Sequence, residues 1–131
     1  MNAKIPISIP EVCAKVTAPF SQTLVANVDG SFDIKHALLH GSVPFHNHPD
    51  NDEAFYILSG RLTIEMSTSA SMQVTTTEGK VDTVELKAGD IFVVPRGIYH
   101  RPIGDQAHVL LMESKGIPGG NGEIAKDVQL A

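Results

Sequence analysis

Apolar and polar residues alternate with a period of two along most of this chain. Leu62, Ile64 and Met66 interleave with Arg61, Thr63 and Glu65, the pattern of a strand with one buried face. The same reading predicts strands at Gln22–Val28, Phe32–His40, Ala54–Leu58, Val81–Leu86, Ile91–Val94 and His108–Glu113. Turn residues punctuate them: Asp29-Gly30, Ser59-Gly60, Lys87-Ala88-Gly89-Asp90 and Pro95-Arg96-Gly97. Pro6, Pro10 and Pro19 exclude a long regular element near the start. There, the Ile5/Ile7/Ile9 alternation reads as a short edge strand and Glu11–Lys15 as one helical turn. The Ser/Thr-rich stretch 67–80 reads as an elongated hairpin tip. No helix longer than two turns is expected. About eight to ten short strands with regular turns predict an all-β barrel or sandwich. Residues 1–115 form the expected domain with its N-terminal edge segment, and the glycine-rich 116–131 a tail that is mobile or lies on the surface.

Composition narrows the function classes. A chain of 131 residues fits one domain with a single core. Its net charge of −5 and the lack of any Lys/Arg block speak against nucleic acid or an anionic membrane as partner. No apolar run approaches membrane-spanning length. Cys13 is the only cysteine, which precludes an intrachain disulfide, and it reads as a small packing residue. The first residues lack a basic segment followed by an apolar one, so no signal peptide is expected, and a cytoplasmic location follows.

The chemistry concentrates between Gly41 and Gly60, where His46, His48 and Glu53 fall within eight residues. Side chains two apart on a strand share a face, so His46 and His48 stand roughly 7 Å apart on one side. Such imidazoles can converge on one ion. Pro49-Asp50-Asn51-Asp52 breaks the strand and can reset the register to bring Glu53 inward. His36 and His40 share the parity of His46 and are candidates to line the same interior. A bulge at Gly41 would reverse that parity.

Two motifs together resemble those of the cupin superfamily. Gly41, His46, His48, Glu53 and Gly60 match the first motif, with one residue fewer than usual between Gly41 and His46. Gly89, Pro95, Gly97 and His100 match the second, with Gly104 where the family usually has Asn. His-Pro-Asp-Asn-Asp-Glu and Val-Pro-Arg-Gly-Ile-Tyr-His-Arg-Pro are similar to small single-domain cupins of the phosphomannose-isomerase-like type. The resemblance implies a jelly-roll β-barrel in which His46, His48, Glu53 and His100 bind one metal. Three imidazoles and one carboxylate suit a divalent first-row ion: Fe, Mn, Ni, Co, Cu or Zn. On an octahedral ion two positions would remain for water, dioxygen or substrate.

The resemblance implies a metal-dependent enzyme acting on a small organic molecule, of dioxygenase, decarboxylase, isomerase or lyase type. The alternative is a non-catalytic cupin that binds a metal or small ligand. His36, His40 and Tyr99 are the candidates for catalytic groups beside the ligands, and Arg96 and Arg101 for holding an anionic substrate. Cupins commonly pair through sheet edges, so a homodimer is expected through the N-terminal segment.

Overall fold

The computed structural model describes residues 6–67, 81–115 and 129–130. A short helix, α1 (Ile9–Lys15), precedes the strands β1 (Gln22–Val28), β2 (Phe32–Ser42), β3 (Glu53–Ser67), β4 (Val81–Lys87), β5 (Ile91–Val94), β6 (His100–Ser114) and β7 (Gln129–Leu130). Helix α1 starts one residue before Pro10 and is capped by Ser8, whose Oγ accepts the Glu11 N–H at 3.3 Å. The cap and the proline outweigh the Ile alternation. Ile9 therefore opens a helix and Ile7 lies in irregular chain, so the edge strand expected there does not form on these residues. Ile5 and the expected hairpin tip at 68–80 lie outside the described residues, as does 116–128 of the expected tail. Within that tail, Gln129 and Leu130 pair parallel with β1. No helix among the described residues is long and apolar enough to cross a membrane.

The strands hydrogen-bond in the order β4-β3-β6-β2-β1-β7, and β5 pairs with β3. The central pairings are antiparallel. The expected turn at Ser59-Gly60 is instead a kink within one fifteen-residue strand. Its register against β6 shifts on both sides of Ser59. Gly60 has φ +76°, and a Cβ there would lie 2.1 Å from the Gln106 carbonyl oxygen. Only glycine lets the two backbones pass this closely. The bend lets the first half of β3 pair with β5 and the second half with β4, while β6 follows it along both. This is the all-β jelly-roll arrangement, one sheet curled around its own core.

Alternate residues build that core. Ala37 and Leu39 of β2, Phe55, Ile57, Leu62 and Ile64 of β3, and Ala107, Val109 and Leu111 of β6 pack into one buried cluster, with Val94 and Leu86 closing it. Residues 35–39 of β2 are buried on both faces. The inner face packs on the core, and helix α1 lies against the strand.

Candidate metal centre

Backbone pairing brings the two motifs together. His46 and His100 form an antiparallel bridge, each N–H donating to the other's carbonyl at 3.0 and 2.8 Å. The Gly97 N–H donates to the His48 carbonyl at 2.9 Å. The Arg96 N–H donates to Asp52 Oδ1 at 2.8 Å, and Glu53 lies in register with Val94. Thus the turn at Pro95-Arg96-Gly97 is held against the His-x-His segment, and the break at 49–52 does reset the register so that Glu53 points inward. His46, His48, Glu53 and His100 each offer a ligand atom within 4.8 Å of the others. His48, Glu53 and His100 are buried, and His46 is half-buried.

Hydrogen bonds fix which nitrogen each of two rings presents. His46 Nδ1 lies 2.9 Å from the Pro44 carbonyl and His100 Nδ1 lies 2.9 Å from the Ile98 carbonyl. A carbonyl can only accept, so both Nδ1 atoms carry the proton and a neutral ring keeps its lone pair on Nε2. His100 Nε2 then faces Glu53 Oε1 at 3.2 Å, and His48 Nε2 faces the same oxygen at 3.6 Å. A lone pair and a carboxylate oxygen repel unless a cation lies between them. Two donors bound to one ion at about 2.0–2.2 Å sit roughly 3 Å apart. The donor set therefore fits a transition-metal ion, and the carbonyls behind the rings are the usual orienting partners of ligating histidines.

The electrostatics extend beyond these four residues. Burial alone would raise the Glu53 carboxyl, but in the metal-free protein His100 and His48, once each ring takes up a second proton, donate hydrogen bonds and add positive charge that bring it below the ordinary carboxylate range. Burial pushes His46 down, and the neighbouring His100 adds to this. Beside them lies Glu113, which is fully buried with neither carboxyl oxygen hydrogen-bonded among the described residues. The register that pairs Ala54 with Met112 sets Glu53 across from Glu113, and Glu113 is in turn paired with Asp33. Burial first, then the charge of Glu53, pushes Glu113 up to about 8. Lys35 Nζ, at 3.8 Å, is too distant for a hydrogen bond, and its charge offsets part of this. Sequence reasoning missed this acid and its neighbouring amine. The signal was present: Lys35 shares the parity of Ala37 and Leu39, and Glu113 that of Val109 and Leu111, so both were charges at core positions.

The other candidates lie elsewhere. The register of β2 slips between Leu39 and Gly41, so the parity of His36 does not carry through to His46. His36 stacks on His108, with ring centroids 5.1 Å apart, near Cys13 rather than with the four converging residues. His40 is exposed, and its Nδ1 accepts the Gln106 N–H at 3.1 Å. Tyr99 is half-buried beside His100, and its carbonyl accepts the Ser67 N–H at 2.8 Å. Arg101 donates to Glu65 Oε1 through Nε at 3.1 Å and Nη2 at 2.6 Å, and its guanidinium covers the Phe45 ring at 4.8 Å. Arg96 is largely exposed, with Nε 3.6 Å from Asp52. Gly104 pairs with Gly41 on one side and Leu62 on the other. A Cβ there would stand 2.2 Å from the Leu39 carbonyl oxygen, which explains why this chain has no Asn at that position.

A curled antiparallel sheet with inward histidines and a carboxylate defines a small β-barrel built around a candidate metal centre. Residues 38–112 match the family model described as Cupin domain, more than half of the chain, and the protein belongs to the cupin family. It is 32% identical over 68 residues to "Uncharacterized protein YdbB" of Bacillus subtilis (strain 168), covering 52% of this chain and 50% of that protein. The chain therefore matches about half the length of this relative. A cupin-2 domain containing protein from Shewanella frigidimarina NCIMB 400 superposes with a TM-score of 0.66 at 20% identity, covering 82% of this chain and 91% of that one. Hydroquinone 1,2-dioxygenase PnpCD, in complex with Cd2+ and 4-hydroxybenzonitrile, gives a TM-score of 0.63 at 18% identity, covering 95% and 80%. At these identities the structures speak for the fold.

Proposed function

We propose that this chain is a metal-dependent enzyme acting on a small organic molecule, with His46, His48, Glu53 and His100 holding one divalent first-row ion. The observation that carries the reading is Glu113: a buried carboxyl with no hydrogen bond among the described residues, only Lys35 at 3.8 Å, on the same inner row as Glu53. A closed, structural metal site gains nothing from such a group, and burying it costs about 1–3 kcal/mol without a hydrogen-bond partner. A catalytic site does gain, because an acid poised near neutral pH can give or take a proton at a bound substrate. The ion would supply Lewis acidity toward a substrate oxygen, or a binding position for dioxygen.

In this reading the protein's own groups divide the work. The Pro44 and Ile98 carbonyls orient His46 and His100. Glu113, whose carboxyl burial pushes up to about 8 in the metal-free protein, is the acid that would hydrogen-bond a substrate oxygen and transfer the proton to it. Lys35 lies close enough to favour the carboxylate once that proton has left. Burial of Glu53, Glu113 and His100 keeps bulk water from competing. The divalent cation and the aromatic ligand held by the structurally similar dioxygenase support a small-molecule substrate. The fold hosts many reactions, so dioxygenase, decarboxylase, isomerase and lyase chemistry all stay within the proposal. Exposed Leu24, Val28 and Phe32 on the β1–β2 hairpin now carry the proposal of a homodimer, and a monomer mass by light scattering at tens of micromolar would end it.

The test uses Mn2+-loaded protein. Solvent-proton relaxation should reveal an exchangeable inner-sphere water, and a small oxygen chelator such as oxalate should displace it. An ion with neither exchangeable water nor affinity for the chelator would sink the enzyme reading and leave a non-catalytic binding cupin.

A further inference from the structure

On the other face of β2 lies a second group of metal-ligating side chains. Cys13 comes from α1, His36 from β2 and His108 from β6. His108 pairs with Leu38 and so is a diagonal neighbour of His36 on the same face. Helix α1 packs against this strand, and one ligand atom from each of the three residues lies within 4.8 Å of the other two. We propose that Cys13, His36 and His108 form a zinc site, distinct from the centre inside the barrel, that ties α1 to the sheet.

His36 is the main reason. It is completely buried, its Nε2 lies 2.9 Å from His108 Nδ1, and its own Nδ1 has no hydrogen-bond partner among the described residues. Burial lowers the imidazole to about 4, with His108 adding to the effect, and burial lowers His108 as well. Both rings are therefore neutral at pH 7, and a single proton is shared between two facing nitrogens. Neutral imidazole is the form that ligates metal. Two nitrogens on a tetrahedral zinc stand roughly 3.3 Å apart, so a shift of a few tenths of an ångström lets an ion take the place of that proton, which passes to the other nitrogen of its ring and leaves both imidazoles neutral. The Cys13 thiol is raised by burial, so it is protonated until a cation displaces the proton. Cys13 and His108 are half-buried, which leaves solvent to supply the fourth ligand.

The site also accounts for a weakness in the fold. Helix α1 has seven residues and none of them is buried. A helix this short gains little from its own hydrogen bonds and needs an anchor. A thiolate–zinc bond from Cys13 to two strands would be that anchor.

Cobalt reads the site directly, because a thiolate-to-cobalt absorption band in the near ultraviolet can come only from Cys13, the sole cysteine. Metal-free protein titrated with Co2+ under anaerobic conditions should develop this band, with one ion per chain at this site beyond the one that the inner centre takes. Zn2+ should bleach it. The band should vanish in Cys13→Ser, need at least about tenfold more Co2+ in His108→Asn, and persist in His100→Ala. His108 is only half-buried, so its variant should keep the wild-type circular dichroism, whereas a His36 variant could fail to fold. Absence of the band in the folded wild-type protein would overturn the proposal. So would an unchanged titration in His108→Asn, which would reduce the site to a lone thiol, or loss of the band in His100→Ala, which would merge it with the inner centre.

Discussion

Glu53 and Glu113 are cross-strand neighbours on the inner face of one sheet, and both are almost fully buried. Burial pushes both carboxyls up, yet they end on opposite sides of the ordinary range. In the metal-free protein, protonated His100 and His48 give Glu53 hydrogen bonds and positive charge, and it falls below that range. Glu113 has no hydrogen bond among the described residues, faces the charge of Glu53, and rises to about 8. Depth in the protein therefore does not set the role of a carboxyl; its partners do. The proposed function makes one an anionic ligand and the other a neutral acid, the division of labour that pairs of active-site carboxyls use.

The strongest way to break this contrast is to remove His100, a proposed ligand and a close partner of Glu53. His100→Ala should weaken metal binding by more than the roughly 10–100-fold typical of losing an outer partner. In the metal-free protein it should also raise Glu53, visible as a protonated-carboxyl infrared band persisting to higher pH. Unchanged metal affinity would remove His100 from the ligand set.

Next in size is the pH dependence of stability. In the unfolded chain Glu113 loses its proton near 4.5, and in the folded chain near 8. Below 4.5 both states hold the proton. Between these values the folded state binds more protons, so the stabilisation is lost as pH rises toward 8. Glu113→Gln should flatten this decline and be stabilised over wild type at pH 9 relative to pH 5 by on the order of a few kcal/mol, measured by urea unfolding of metal-free protein. An equal decline in the variant would show that Glu113 is not the group responsible.

Smaller effects sharpen the same comparison. Lys35 lowers Glu113 and Asp33 raises it, both less than burial does. Lys35→Met should move the Glu113 infrared titration to higher pH, and Asp33→Asn should move it slightly lower. Shifts of the opposite sign would mean that these side chains act through packing rather than charge.

The alternation of Leu62, Ile64 and Met66 and the turn at Asp29-Gly30 made the strands legible, because period-two patterning is local. The His-x-His spacing made the convergence of four side chains legible, since both motifs keep their register through short turns. What could not be read was set by distant backbone. Gly60 reads as a turn, yet it lets Gln106 approach and keeps β3 continuous. The slip between Leu39 and Gly41 separates the parity of His36 from that of His46 and leaves His36 with Cys13 and His108. The Ser8 cap turned Ile9 from strand to helix. Glu113 was overlooked for another reason: a glutamate ending an apolar strand is ordinarily an exposed one, and only the barrel's closure buries it.

The claim that the two inner carboxyls have different jobs is tested most directly by Mn2+ titration followed by electron paramagnetic resonance, comparing Glu53→Gln with Glu113→Gln in a Cys13→Ser background. The account predicts one tight site per chain in Glu113→Gln, as in the parent, and loss of that site in Glu53→Gln. Retention of tight binding in Glu53→Gln, or equal loss in both variants, would contradict it.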